Sequence, residues 1–246
     1  MVAVELNHIT VAYNDQVVVH DLSAVVPAGA MLAVVGPNGA GKTTLLQTML
    51  GLVAPVHGSV TFFGGTLDQH RHRIAYVPQR MSVDWDFPAQ VLDVVLMGCY
   101  KKLGWFAHPD SAQRAQALHA LEQVGMETYA MRSIGQLSGG QQQRVFLARA
   151  LMQEADIYFL DEPCAGIDAP TEKSIIDLLK RLSAQGKTII IVHHDLQTLH
   201  AYFNALLLIN KTSIFCGPLS LATQHHFISA YGKENPFLSD ARVAYD

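Results

Sequence analysis

Gly36-Pro37-Asn38-Gly39-Ala40-Gly41-Lys42-Thr43-Thr44 decides how this chain is read. It leaves an apolar run, Met31 to Val35, that predicts a buried strand, and enters Leu45 to Leu52, which predicts a helix. Its glycines let backbone N–H groups approach phosphate oxygens with no Cβ in the way. The helix start aims the positive end of its dipole at the same place. Lys42 is expected to reach β- and γ-phosphates, and the Thr43 hydroxyl to ligate Mg²⁺. A glycine-rich turn alone is weak evidence, but the full pattern between strand and helix is specific for a P-loop.

The rest of the composition suits that loop. The chain has 246 residues, half of them hydrophobic and 15% charged, enough for a sizeable core. Its apolar runs are strand-sized, and Met1 to Glu5 has neither a basic region nor an apolar signal core. The expectation is a cytoplasmic protein whose membrane role, if any, passes through a partner. A net charge of −4 argues against a sequence-independent nucleic-acid binder. Cys99, Cys164 and Cys216 form no CxxC pair and are odd in number, so they read as reduced, buried thiols.

Val2 to Tyr13 and Gln16 to Val26 alternate, and predict two antiparallel strands around a turn at Asn14-Asp15. Ser59 to Phe63 and Ile74 to Val77 read as further strands. From Ala89 to Val124 the periodicity becomes helical: Val91, Leu92, Val95 and Leu96 share one face, and Leu118, Leu121 and Val124 another. Asp110 and Ser111 are the cap candidates for the second helix. Strands return at Ile157 to Leu160 and Thr188 to Val192, separated by a helix from Pro170 to Gln185. Leu196 to Tyr202 reads as a short helix, Ala205 to Ile209 with Ser213 to Cys216 as a terminal hairpin, and Leu221 to Tyr231 as a last helix. Alternating β and α segments imply a mostly parallel sheet with flanking helices. The expected division is a strand-rich part over 1–81 and 155–222, a helical insertion over 82–154, and a C-terminal helix and tail over 223–246.

Two further stretches carry chemistry. Ile157 to Leu160 delivers Asp161 and Glu162 at the strand's C-terminal end, the edge where open α/β sheets bind ligands. Asp161 is expected to hold Mg²⁺, directly or through water, and Glu162 to act as general base on an attacking water. Leu137-Ser138-Gly139-Gly140-Gln141 opens a helix over Gln142 to Met152. Ser138 can cap it and the two glycines expose N–H groups to an anion. Two anion sites for one triphosphate suggest that a second copy supplies one of them.

These stretches together resemble the nucleotide-binding subunit of an ATP-binding cassette (ABC) transporter over nearly the whole chain. Gly36 to Thr43 is similar to the Walker A motif, Leu137 to Gln141 to the signature motif, and Ile157 to Glu162 to Walker B with its catalytic glutamate. Gln79 stands at the Q-loop glutamine, Asp168 in the D-loop, His194 at the switch histidine, and Tyr13 where the family stacks an aromatic on adenine. The resemblance implies a RecA-like core, an antiparallel β part and an inserted helical part. It implies a head-to-tail homodimer with each ATP between one copy's Gly36, Asn38, Gly39, Gly41, Lys42, Thr43 and Thr44 and the other's Ser138, Gly139, Gly140, Gln141 and Asp168. His194 would stabilise transition-state charge, with Lys42; Gln79 would sense Mg²⁺ and the attacking water. Membrane permease subunits and an extracytoplasmic metal-binding protein would complete a transporter, with this chain on the cytoplasmic face of the membrane and no nucleic acid involved.

A narrower resemblance is to the manganese/zinc/iron importer branch. It rests on Val83 to Pro88, Val91 to Gly98, Leu103 to Phe106, Glu154 to Asp168 and Val192 to Leu196. Cys164 and Cys99 depart from that branch without touching the inferred chemistry. Competing readings are a siderophore, another solute or an exported compound as cargo, a soluble ABC ATPase, and a small-molecule kinase. The chain between Gly36 and Ser138 is too short for a long coiled-coil arm, and a kinase has no use for Leu137 to Gln141. His193 reads as structural. His70, His72, His225 and His226 read as solvated surface, and Arg71-His72-Arg73 as a solvated turn. The aromatic stretch Trp85 to Phe106 reads as core, as a groove for a partner helix, or as both.

Overall fold

The computed structural model describes residues 1–14, 16–79, 87–100 and 108–232. The Asn14-Asp15 turn lies partly outside them. Trp85, most of Val83 to Pro88, Leu103 to Phe106 and the tail after Gly232 lie wholly outside them.

β1 (Val2–Tyr13) and β2 (Gln16–Pro27) pair antiparallel, from Val2 opposite Pro27 to Tyr13 opposite Gln16. After β3 (Met31–Val35) and α1 (Lys42–Met49), β4 (His57–Phe62) returns to the free edge of β1. The result is a three-stranded sheet in the order β2-β1-β4. The α2 turn (Leu67–His70) leads to β5 (Ile74–Val77). The helices α3 (Val91–Leu96), α4 (Ser111–Gln123) and α5 (Gly139–Leu151) come next, packed on one another, with α5 also against β5. β6 (Ile157–Asp161), α6 (Ala169–Ala184), β7 (Thr188–Val192), α7 (Leu199–Tyr202), β8 (Ala205–Asn210), β9 (Thr212–Pro218) and α8 (Gln224–Tyr231) complete the chain.

The larger sheet runs β5-β6-β7-β3-β8-β9. It is parallel except for β9, which turns back along β8. Its inner strands are buried on both faces, which is why they read as unbroken apolar runs. Alternate residues of β3 feed two cores. Met31, Ala33 and Val35 join the layer formed with the helices. Leu32 and Val34 face Val4, Leu6 and Ile9 of the antiparallel sheet, with Leu45, Leu46 and Met49 of α1.

Several expectations need correction. α1 begins at Lys42 rather than Leu45, because Gly41 adopts the left-handed conformation (φ 93°) that starts the helix there. α5 likewise begins at Gly139, directly after its Ser138 cap. β4 begins at His57 rather than Ser59. The Leu196 to Thr198 stretch is a turn, since Asp195 accepts from the Gln197 amide (2.9 Å) and the Thr198 hydroxyl (3.1 Å). Leu219–Leu221 is a separate short 3₁₀ turn, and α8 starts after Thr223, whose amide donates to the His226 ring (3.0 Å). Leu118 is 43% exposed, and the inner stripe of α4 is Ala117, Ala120 and Leu121. Asp110 is the cap of α4, accepting from Ala112 and Gln113.

Arg71-His72-Arg73 is a 3₁₀ turn that is not simply solvated. Arg73 donates to Asp156 at 2.6 Å and lies 3.9 Å over the Phe63 ring. Lys187 binds the other Asp156 oxygen at 2.9 Å, so this carboxylate joins the starts of β5, β6 and β7. Both cations hold its pKa below the usual carboxylate range against the opposing effect of partial burial. His70 packs against the Phe63 ring and His226 against Phe215. All three cysteines are free thiols; Cys99 is buried, whereas Cys164 and Cys216 keep partial exposure. Among the described residues no helix is long and apolar enough to cross a membrane.

Candidate nucleotide site

The glycine loop emerges where β3 ends between β7 and β8, at the C-terminal edge of the parallel strands. Gly36 is required by close approach: an added Cβ would be driven into the Ile209 carbonyl and lie 3.1 Å from Ala40 Cβ. Gly39 (φ 78°) has open space on its Cα, as a backbone that faces a ligand requires. The far side of the loop is tied down by the Lys211 amide, which donates to the Ala40 carbonyl at 3.0 Å.

Lys42 turns back under the loop and is only 9% exposed. Its ammonium donates to the carbonyls of Gly36 (2.9 Å) and Pro37 (3.0 Å). Burial lowers its pKa, while the Glu162 and Asp161 carboxylates pull the other way. Thr43, one residue on, donates its hydroxyl to Asp161 Oδ1 across 3.5 Å.

Asp161 ends β6 and is 1% exposed. Burial, then the neighbouring Glu162, raise its pKa to about 6; Thr43 and Lys42 oppose this. A carboxylate held at that cost calls for a cation. Thr43, Gln79 and Asp161 offer hydroxyl, amide and carboxylate oxygens, the hard donor set that fits Mg²⁺.

Glu162 has a left-handed backbone (φ 48°), uncommon for a residue with a side chain. Its amide donates to the Val192 carbonyl at 3.3 Å, and its Oε2 accepts from Gln79 Nε2 at 3.0 Å. Strain of this kind collects at functional sites. The fold thus brings the ends of β5 and β6 together so that a polar amide from one holds the carboxylate of the other.

His193 and His194 follow β7 and part company. His193 turns inward, 5% exposed, with Nε2 2.8 Å from Thr198 Oγ1 and its ring 5.1 Å from Phe203. Burial, then His194, push its pKa down to about 4, as suits a structural residue. His194 lines a groove of about 490 Å³ with Glu172, Ile167 and Tyr231 among its walls.

The structure gathers Lys42, Thr43, Gln79, Asp161 and Glu162 at one sheet edge. Ser138 to Gln141 and Asp168 stand at two other helix starts. Ser138 and Gln141 form a reciprocal cap: the Ser138 amide donates to Gln141 Oε1 (2.9 Å) and the Gln141 amide to Ser138 Oγ (3.4 Å). Gly140 faces Ile167, whose side chain would sit 3.7 Å from an added Cβ. Asp168 caps α6, accepting from the Thr171 amide at 3.2 Å; the Thr171 hydroxyl, then its amide, hold the Asp168 carboxyl below the usual range. α5 rests on α3, α4 and β5, whereas α1 rests on β2, β6 and β7. Tyr13 ends β1 with 44% of its surface exposed, so its ring is not packed into the sheet. The Gln79–Glu162 bond was not legible in sequence, since each residue is local to its own strand end. Tyr231, too, has no sequence signal that places it in the groove with His194.

A P-loop lysine beside a strand-end aspartate and a following glutamate defines a nucleoside triphosphatase. The chain belongs to the ABC transporter family, whose model matches residues 19–165, and it is an ABC-type ATPase. It is 51% identical, over 99% of its length and 98% of the relative's, to the manganese transport system ATP-binding protein MntB of Bacillus subtilis. It is 50% identical to the zinc transport system ATP-binding protein TroB of Treponema pallidum, over 94% of this chain and 87% of that one. Among solved structures it superposes on a metal-chelate type ABC transporter in an inward-facing conformation (TM-score 0.82, 29% identity, 94% of this chain and 88% of that one). It also superposes on an ATP-binding cassette solved as a dimer after hydrolysis with ADP and phosphate (TM-score 0.76, 26% identity, 88% and 98%).

Proposed function

We propose that this chain is the ATP-hydrolysing subunit of an importer for a divalent transition metal, manganese first, then zinc or iron. The observation that carries this reading is the buried Lys42 and Asp161, with Thr43 bonded to Asp161 and Glu162 beside it, in a chain half identical, end to end, to a manganese transport system ATP-binding protein.

Gly36, Asn38, Gly39 and Gly41 present the loop backbone to the phosphates. Lys42 exchanges the Gly36 and Pro37 carbonyls for phosphate oxygens, and Thr44 adds a hydroxyl. Thr43 and Asp161, with Gln79, would hold Mg²⁺, which neutralises charge on the β- and γ-phosphate oxygens when bound. Glu162 takes the proton of the attacking water once Gln79 turns from it. A positioned base contributes about 10²–10⁴ in rate. Ser138, Gly139, Gly140, Gln141 and Asp168 act on the ATP of a second copy in a head-to-tail dimer, and Tyr13 stacks on the adenine. His194 steadies the charge that develops on the γ-phosphate. ATP favours the closed dimer because it binds that state more tightly. The Gln79 region passes closure to permease subunits at the cytoplasmic face of the membrane, which receive metal from an extracytoplasmic binding protein.

The deciding experiment is ATPase activity of the chain reconstituted with its permease, challenged with the binding protein loaded in turn with Mn²⁺, Zn²⁺ or Fe²⁺. Stimulation by one loaded form supports the reading and names the metal. No stimulation by any of them, with a functional permease, overturns metal import. A chelated metal as cargo, suggested by the metal-chelate type structure at 29% identity, predicts stimulation only by the chelate.

A further inference from the structure

His194 is entered from a strand and left by a turn. On the strand side the sheet holds the backbone: the Val192 carbonyl accepts from the Glu162 amide at 3.3 Å, and the His193 amide donates to the Val34 carbonyl at 3.0 Å. On the far side the ladder has ended and side chains take its place. The Asp195 carboxylate accepts from the Gln197 amide at 2.9 Å through Oδ1 and from the Thr198 hydroxyl at 3.1 Å through Oδ2. The same hydroxyl reaches the Asp195 carbonyl at 3.3 Å.

Thr198 also meets the residue that precedes His194, with Oγ1 2.8 Å from His193 Nε2. A hydroxyl has one proton, and the Asp195 oxygens can only accept, so His193 Nε2 is left to donate. One hydroxyl thus straps together the two neighbours of His194. One end of the strap is fixed in the core, since His193 is 5% exposed and its ring lies 5.1 Å from that of Phe203. Leu199, the next residue after Thr198, is buried as well. His194 differs: its side chain hydrogen-bonds no described residue, and its ring lies 5.9 Å from that of His193. It lines its groove together with Asp195 and with Cys164, Gly166 and Ile167, which follow Glu162 in the chain. With no hydrogen bond of its own to fix it, His194 takes its direction from the backbone that Thr198 holds.

We propose that Thr198 is a positioning residue for ATP hydrolysis: its hydroxyl ties His193 to Asp195 and so aims the His194 ring that lies between them. This rests on the reading of His194 as the group that steadies charge on the γ-phosphate. A packing role needs the shape of Thr198, whereas the positioning role needs its hydroxyl. Thr198→Val keeps the shape and loses the hydroxyl; Thr198→Ser keeps the hydroxyl.

The test uses the chain reconstituted with its permease, with ATPase kcat and KM, nucleotide affinity and melting temperature measured for Thr198→Val, Thr198→Ser, Asp195→Ala and His194→Ala. Rates are taken well below every melt, so that a loss of stability is not read as a loss of turnover. Thr198→Val leaves the buried His193 donor without its partner and is expected to melt earlier. On the folded protein its kcat is expected to fall about 3- to 10-fold, the factor that matches one hydrogen bond of ordinary net strength, with KM and nucleotide affinity unchanged. Thr198→Ser is expected to keep the wild-type kcat. Asp195→Ala cuts the strap at its more exposed end, leaves the His193 bond in place, and is expected to lower kcat by a similar factor; it decides the matter if Thr198→Val does not fold. Wild-type kcat in either Thr198→Val or Asp195→Ala, while His194→Ala is impaired, overturns the positioning role in favour of packing and leaves His194 its part. A loss in Thr198→Ser equal to that in Thr198→Val, or a matching loss of nucleotide affinity, overturns it equally. Wild-type kcat in His194→Ala overturns the reading of His194, and this inference with it.

Discussion

His193 builds a pH dependence into the stability of this fold. Its ring is 5% exposed and held by Thr198 and Phe203, and its pKa falls from 6.5 to about 4. Burial is the main cause and His194 the second, with Asp195 opposing. A histidine whose pKa is lower in the folded chain takes up its proton preferentially in the unfolded one. Its contribution is fully present above about pH 6.5 and is lost as pH falls toward about 4. At about 1.4 kcal/mol per pH unit across that interval, the loss is about 2 kcal/mol at pH 5 and approaches about 3 kcal/mol below pH 4. The perturbation is His193→Gln, whose amide nitrogen reaches the place of Nε2 but does not titrate. Urea unfolding of both proteins at about pH 7.5 and about pH 5 isolates the effect, since groups common to both cancel. The wild type is expected to lose about 2 kcal/mol more than the variant between the two conditions. Equal losses would refute the assignment of this pH dependence to the buried imidazole.

Glu162→Gln keeps an oxygen that can accept from Gln79 but loses the base; turnover is expected to fall about 10²- to 10⁴-fold while ATP binding persists and an ATP-bound dimer accumulates on a sizing column. Normal hydrolysis would remove Glu162 from the general-base role. Lys42→Ala is expected to abolish measurable nucleotide binding in an equilibrium titration, and unchanged binding counts against the cradle. Gly36→Ala forces a methyl group into the Ile209 backbone carbonyl, which cannot swing aside. A loss of about 1–3 kcal/mol is expected, read as a melting temperature several degrees lower; an unshifted melt would show that β8 yields.

Much of the fold was legible because the decisive signals are local. Met31–Val35, Ile74–Val77 and Thr188–Val192 appear where their apolar runs place them, since a strand buried on both faces has little polar sequence to blur its ends. Helix ends were less legible. Gly41 and Ser138 start helices by backbone conformation and capping before the apolar pattern begins. Leu118 misled because the inner face of α4 is Ala117, Ala120 and Leu121, and its small alanines let α3 and α5 approach while Leu118 falls outside that stripe.

The sequence by itself determined the P-loop, the acidic strand end, the capped glycine start at Ser138 and the alternation that demands a parallel sheet. Each is a pattern over a few consecutive residues, and its chemistry travels with it. Only the tertiary structure decided that β4 pairs with β1, that Arg73 and Lys187 share Asp156, that Gln79 meets Glu162, and that Tyr231 lines the same groove as His194. These contacts join residues far apart in the chain. Their partners are chosen by strand order and packing, which no local run of residues encodes.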